Sequence, residues 1–222
     1  MTGLLLVLLA VQAPLDEATL VVREDTVEVA RESFRFVRGR GGGADSPAWT
    51  LATSIRYERK RPMLVLAPIL DVTSDSQPVS LEYDVASVIA PARILGQLSR
   101  GRFTVRTLGH STERAREIPV TGRFLVLDDS VYALYLFAAW AAGPAPVTLT
   151  AVVPRSSRRD TLTVQDRGQE STSLLHGAVM LRHVTVTGGP NGQVDLWLDE
   201  GGRLLKVEIP SRRVRVERQP PA

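Results

Sequence analysis

Val131-Tyr132-Ala133-Leu134-Tyr135-Leu136-Phe137-Ala138-Ala139-Trp140-Ala141-Ala142 is apolar or aromatic at every position. Asp128, Asp129 and Ser130 precede it, and Gly143-Pro144 follows it. Carboxylate and hydroxyl oxygens accept the free N–H groups of a first helical turn, whose end also favours negative charge. Glycine tolerates the left-handed turn that ends a helix, and proline cannot continue one. The stretch therefore predicts one helix, capped by Asp128 and Asp129 and roughly 18 Å long at about 1.5 Å per residue. A helix that is apolar on every side is buried on every side. This one is shorter than the roughly 20 residues that a membrane span requires. Something must wrap it, and almost all the remaining sequence reads as β-strand.

The strand signals lie on both sides of the helix. Thr26 to Val37 alternates with Val27 and Val29 on one parity and Phe34 and Phe36 on the other. Trp49 to Glu58 places Trp49, Leu51, Thr53, Ile55 and Tyr57 on one side. Period-two alternation of this kind marks a half-buried strand. Met63 to Val72 is denser, and Pro68 within it predicts a bulge or an edge. Val79 to Val88, Phe103 to Thr107 and Val120 to Leu127 complete the first half, with His110 to Glu117 read as a polar loop. After the helix come Val147 to Val153, Thr161 to Val164, and Leu174 to Thr187 with a break at Gly177. The hairpin of Val194 to Leu198 and Arg203 to Ile209 is the clearest, and Val214 to Glu217 is the last strand. Roughly ten to twelve short strands at this spacing predict antiparallel meanders. The expected fold is mainly β (α+β): a curved antiparallel half-barrel sheet wrapped around one buried helix. A single domain over residues 14–222 is the simplest division.

The 222 residues and 44% hydrophobic content suffice for a sizeable core. Net charge is +3, and the basic residues are scattered among 24 acidic ones. Lys60 and Lys206 are the only lysines, and no arginine run is interleaved with aromatics, so nucleic-acid binding is not expected. Cysteine is absent, which excludes disulfides, cysteine-type metal sites and a cysteine nucleophile. Leu4 to Val11 has the length of a signal-peptide core, and Val11-Gln12-Ala13 has the small residues of a cleavage site. No Lys or Arg precedes the run, and Pro14 would follow the cut; a first buried strand or helix is the alternative. The expectation is a signal peptide over residues 1–13 and export to the periplasm or envelope.

The strand series, Asp128-Asp129-Ser130 before an apolar helix, and a closing hairpin around Leu196-Trp197-Leu198-Asp199 and Gly202-Arg203-Leu204-Leu205-Lys206-Val207 resemble the bacterial exported half-barrel domains of unknown function. These are similar in architecture to the periplasmic lipoprotein carriers of the LolA and LolB type. The resemblance implies an antiparallel sheet curled over a helix with an apolar concave face, and so the binding of an apolar group. It transfers no functional residue.

Several motifs satisfy a pattern by letter only. Gly39-Arg40-Gly41-Gly42-Gly43-Ala44 matches a dinucleotide fingerprint, but a strand follows where the pyrophosphate needs a helix. His110, His176 and His183 lack the close spacing of a zinc site. Gly109-His110-Ser111-Thr112-Glu113 lacks the second glycine of a nucleophile elbow. Asp195, Asp199 and Glu200 lack the regular carboxylate spacing of a calcium loop. No catalytic residue, metal or cofactor is expected. Aromatic side chains are the remaining candidates: Trp49, Tyr57, Tyr83, Tyr132, Tyr135, Trp140 and Trp197 would line an apolar groove, although such residues are most often core. The leading expectation is a non-catalytic exported protein that binds a lipid or other apolar ligand. The alternative is a structural or interaction protein of the envelope with a filled core, whose strand edges meet a protein partner. A hydrolase with dispersed residues ranks third.

Overall fold

The computed structural model describes residues 14–39, 46–59, 63–174 and 177–220. The apolar run and cleavage point within 1–13, most of the glycine-rich loop (40–45) and His176 lie outside the described residues.

The chain begins as a meander. β1 (Asp16–Glu24), β2 (Val27–Arg38), β3 (Trp49–Tyr57) and β4 (Leu64–Val72) pair antiparallel in succession. β5 (Pro78–Ser87), β6 (Ala92–Ser99), β7 (Arg102–Gly109) and β8 (Glu113–Pro119) continue it. A short β9 (Phe124–Val126) leads to a 3-10 turn (Ala133–Tyr135) that runs into α1 (Leu136–Ala141). β10 (Val147–Val153), β11 (Arg158–Leu174) and β12 (Gly177–Gly188) follow, then β13 (Val194–Leu198), β14 (Leu204–Ile209) and β15 (Val214–Arg218). All fifteen strands join one sheet, in the order 8-7-6-5-4-3-2-1-15-14-13-12-11-10-9. β1 pairs with β15, so the two ends of the described chain lie side by side at the middle of the sheet. The sheet is not closed: β8 and β9 are its edges, although they are neighbours in sequence.

Alternation does what the sequence predicts. β2 buries Ala30, Glu32, Phe34 and Phe36 and exposes Arg31, Ser33 and Arg35. β3 buries Leu51, Thr53, Ile55 and Tyr57 on the same side. These inner faces form one core with Leu136, Phe137, Ala138 and Ala139 of α1, each at most 1% exposed. Each buried Leu or Phe contributes about 1.5–3 kcal/mol. Phe36 meets Phe137 edge-on at 6.2 Å, which ties β2 directly to the helix.

Several expectations are corrected. The α-helix is half the expected length, because residues 128–132 turn the chain and Ala133–Tyr135 form a 3-10 turn before it starts. One strand pair, β9–β10, is parallel. Parallel neighbours require a crossover, and the apolar stretch holding α1 is that crossover. Asp16–Glu24, which precedes the first expected strand at Thr26 to Val37, is a central strand. Ala92–Ser99, without a strand signal, is β6: a Cβ at Gly96 would lie 2.6 Å from the Phe103 ring, so Phe103 fills the gap in the alternation. The charged segment expected as a loop is edge strand β8, which needs no apolar side to pair on one flank only. Pro68 is neither at an edge nor at a bulge. It sits inside the sheet and interrupts the β3–β4 ladder opposite Thr53, as a residue without an N–H must.

Candidate functional site

The most polar part of the interior surrounds the start of the helical segment. Glu32 of β2 is fully buried and accepts the backbone N–H groups of Tyr132 and Ala133 at 2.8 and 3.0 Å, and the Thr53 hydroxyl at 2.8 Å. The carboxylate that caps the segment thus comes from 100 residues earlier in the chain. Burial pushes Glu32 up to about 7, against its three hydrogen-bond donors. The expected caps serve otherwise. Asp128 is fully buried and accepts Arg155 at two points, Nε at 2.7 Å and Nη2 at 2.8 Å, and Nη2 also reaches Asp129. Asp128 further accepts the Tyr83 hydroxyl at 3.0 Å and the Ser130 N–H at 2.8 Å. Two-point arginine–carboxylate pairs are among the strongest of polar contacts.

The seven aromatic candidates do not share one surface. Tyr57, Tyr83, Tyr132 and Tyr135 are at most 1% exposed. Their hydroxyls end on protein groups. Tyr57 donates to the Ser130 carbonyl at 2.9 Å and lies 3.4 Å from the Tyr132 hydroxyl, Tyr83 donates to Asp128, and Tyr135 accepts from Asn191 at 3.0 Å. Burial raises all four phenols, so they act as neutral hydrogen-bonding groups. Trp49 and Trp140 are partly buried and pack on Phe36 at 5.8 and 5.2 Å. Trp140 donates to the Gly202 carbonyl at 3.3 Å. Trp197 alternates with Leu196 and Leu198, which belong to the core, and so points to the other face of the sheet.

That outer face holds a cluster absent from the sequence reading. Trp197 lies in register between His183 and Lys206. The His183 ring stacks on Trp197 with centroids 4.8 Å apart, and the Lys206 ammonium stands 4.6 Å from the indole centroid. His183 bonds Glu170 through Nδ1 at 2.8 Å and Asp195 through Nε2 at 3.1 Å. The Asp195 hydrogen bond raises the His183 pKa, burial opposes this, and Glu170 adds to the rise. Beyond the bulge at Asp166/Gly168, the end of the β11–β12 hairpin reaches back across this face. Lys206 donates to the Thr172 hydroxyl at 2.8 Å and the Ser173 carbonyl at 3.2 Å, and pairs with Glu208 at 2.8 Å. Cross-strand pairing was the signal available in the sequence, but its register is set only by folding.

Chemically, His183 is not poised as a general base. In a hydrolytic triad one ring nitrogen takes a carboxylate and the other takes the nucleophile; here carboxylates hold both. Among the described residues, no group of three or more His, Asp or Glu is placed to hold a metal ion. No helix among them is long and apolar enough to cross a membrane.

The surface offers open grooves. One of about 1030 Å³ runs over outward-facing small residues, including Thr19, Ser33, Ala52, Ser54 and Ala67. A second, of about 550 Å³, lies where the sheet fails to close, between β7–β8 and the 3-10 turn Pro154–Ser156. Val88 and Ile89, at 83% and 77% exposure, form an apolar tip between β5 and β6, with Met63 also exposed at the adjoining end of β4.

No family model and no curated protein sequence matches the chain. Two solved structures do. One is a beta-barrel-like protein of domain of unknown function DUF1849 from Brucella abortus, 14% identical with a TM-score of 0.55, covering 91% of this chain and 94% of its own. The other is a DUF1089 family protein from Pseudomonas aeruginosa, 13% identical with a TM-score of 0.53, covering 84% of this chain and 91% of its own. At this identity the likeness shows a beta-barrel-like fold alone.

Proposed function

We propose that this chain is a non-catalytic interaction protein, exported to the bacterial envelope or periplasm, that works through its surface. One observation carries the reading: the four tyrosines expected to line a ligand groove are sealed in the core, with every hydroxyl engaged by another protein group. In this reading the sheet is a half-barrel curled about α1, and its interior is filled by the chain itself. The open edge at β8 and the apolar tip at Val88 and Ile89 are where a partner has something to meet. The rival reading is a carrier of the LolA and LolB kind, with an apolar ligand on the concave face. It requires those same rings to part, and burial of each large side chain at about 1.5–3 kcal/mol opposes that.

Native mass spectrometry of the protein isolated from its own envelope fraction separates the two. The expected spectrum shows lipid-free protein, alone and with a protein partner. A bound lipid that survives desalting, and that the purified protein takes up again from vesicles, would overturn the surface reading.

A further inference from the structure

β8 is a seven-residue edge strand that, among the described residues, pairs with β7 alone, and all but Ile118 of its residues are exposed. Its register fixes which side chains face which way. Phe103 and Val105 of β7 belong to the core, and their partners are Ile118 and Arg116; Thr107 pairs with Arg114. Arg114 and Arg116 therefore stand on the inner face of the sheet, at its rim. Both line the groove of about 550 Å³, together with Thr107, Ala115, Arg155, Ser156 and Ser157, and no carboxylate among the described residues lines it. The outward-facing glutamates of β8 are occupied: Glu113 pairs with Arg106 at 2.5 Å and Glu117 with Arg102 at 2.9 Å. No described residue forms an ion pair with Arg114 or Arg116, whereas most arginines of the sheet have one.

We propose that β8 is a docking edge for an extended acidic segment of a partner protein, which adds a strand beside β8 and sets alternate carboxylates against Arg114 and Arg116. The proposal rests on the surface-interaction reading above and names the partner's chemistry. Free N–H and C=O groups on the outer flank of β8 supply the ladder. Arg114 and Arg116 are two residues apart on one face, about 6.7 Å along a strand, which is also the side-chain repeat of an extended partner. Opposite charges on facing strands attract, and like charges repel. Inward-facing charge at an edge ordinarily discourages pairing; an acidic strand is the neighbour that these arginines favour. A second copy of this chain fits poorly. In an antiparallel β8–β8 pairing that keeps inner face beside inner face and is centred on Arg114, Ala115 or Arg116, an inner-face arginine falls opposite another arginine.

The test uses the full chain and a blocked synthetic peptide, Thr-Glu-Val-Glu-Val-Glu-Thr, titrated at low salt with backbone amide NMR as the readout. The expected result is shifts along β8, an affinity that weakens as salt is added, and at least about tenfold weaker binding to the double variant R114E/R116E. The same double variant should bind the peptide with lysine in place of glutamate, a charge swap that a folding defect would not produce. Three results would overturn the proposal: no shift along β8, equal binding of a peptide with its glutamates made adjacent, or indifference to R114E/R116E. So would Arg-dependent binding of inorganic phosphate or of anionic phospholipid vesicles without binding of the peptide. If the peptide fails while a protein partner still co-purifies from the envelope, the docking edge is wrong and the interaction reading stands.

Discussion

Two clusters of titratable side chains lie on opposite faces of one sheet, and burial acts on their charge in different ways. On the inner face, Glu32 is fully buried among N–H and O–H donors, with no ion pair among the described residues. Burial dominates there, and its pKa rises to about 7. Asp128, close by and equally buried, has the Arg155 guanidinium on both oxygens. On the outer face, His183 is also nearly buried, but two carboxylates flank it, and its pKa moves up rather than down. Dipoles alone leave a buried acid holding its proton to near neutrality. A counter-charge lets a buried group keep its charge.

The largest expected effect breaks the inner pair. Arg155→Met leaves the Asp128 carboxylate buried and without its counter-charge, which should cost about 3–5 kcal/mol in urea unfolding at neutral pH. An unchanged midpoint would mean that Asp128 is stabilised by Tyr83 and Ser130 alone.

The next effect sharpens the contrast through pH. Glu32 titrates at about 7 in the folded protein against an ordinary 4.5, so the unfolded chain releases its proton first. The stability it contributes is complete below the ordinary value and is lost as pH rises through the folded one, roughly 3 kcal/mol across the window. Glu32→Gln keeps an acceptor oxygen but does not titrate, and should flatten that part of the curve. Identical pH slopes for the two proteins would contradict it.

The smallest effect is on the outer face. His183 has a raised pKa, so its contribution is full below its ordinary 6.5 and fades as pH rises through the higher folded value. His183→Gln should cost about 1–2 kcal/mol below that window and less above it. An imidazole NMR titration midpoint below 6.5 would remove the carboxylate clamp from the account.

The sequence was most legible where burial alternates. The strand parity of β3 follows from period-two patterning, the hairpin of β13 and β14 from the turn residues Asp199-Glu200-Gly201-Gly202 between two apolar runs, and the burial of 131–139 from its unbroken apolar content. It was least legible where a neighbour supplies the missing signal. Gly96 hides β6 because the side chain filling its place belongs to Phe103. β8 reads as a loop because an exposed edge strand carries charge on both faces. The aromatic candidates were visible as buried residues, but nothing in their spacing shows that Trp197 faces away from Tyr57.

From its residues alone this chain determined which positions go inside, where most turns fall, and that a short apolar helical segment must be enclosed. Tertiary structure decided that this segment crosses between two parallel strands, that Glu32 rather than Asp128 caps it, and that His183, Trp197 and Lys206 meet in a row. The reason is range. Burial and alternation act on neighbours a few residues apart and leave a local pattern. A cap from 100 residues away, or a register across three strands, exists only once distant backbone has been paired.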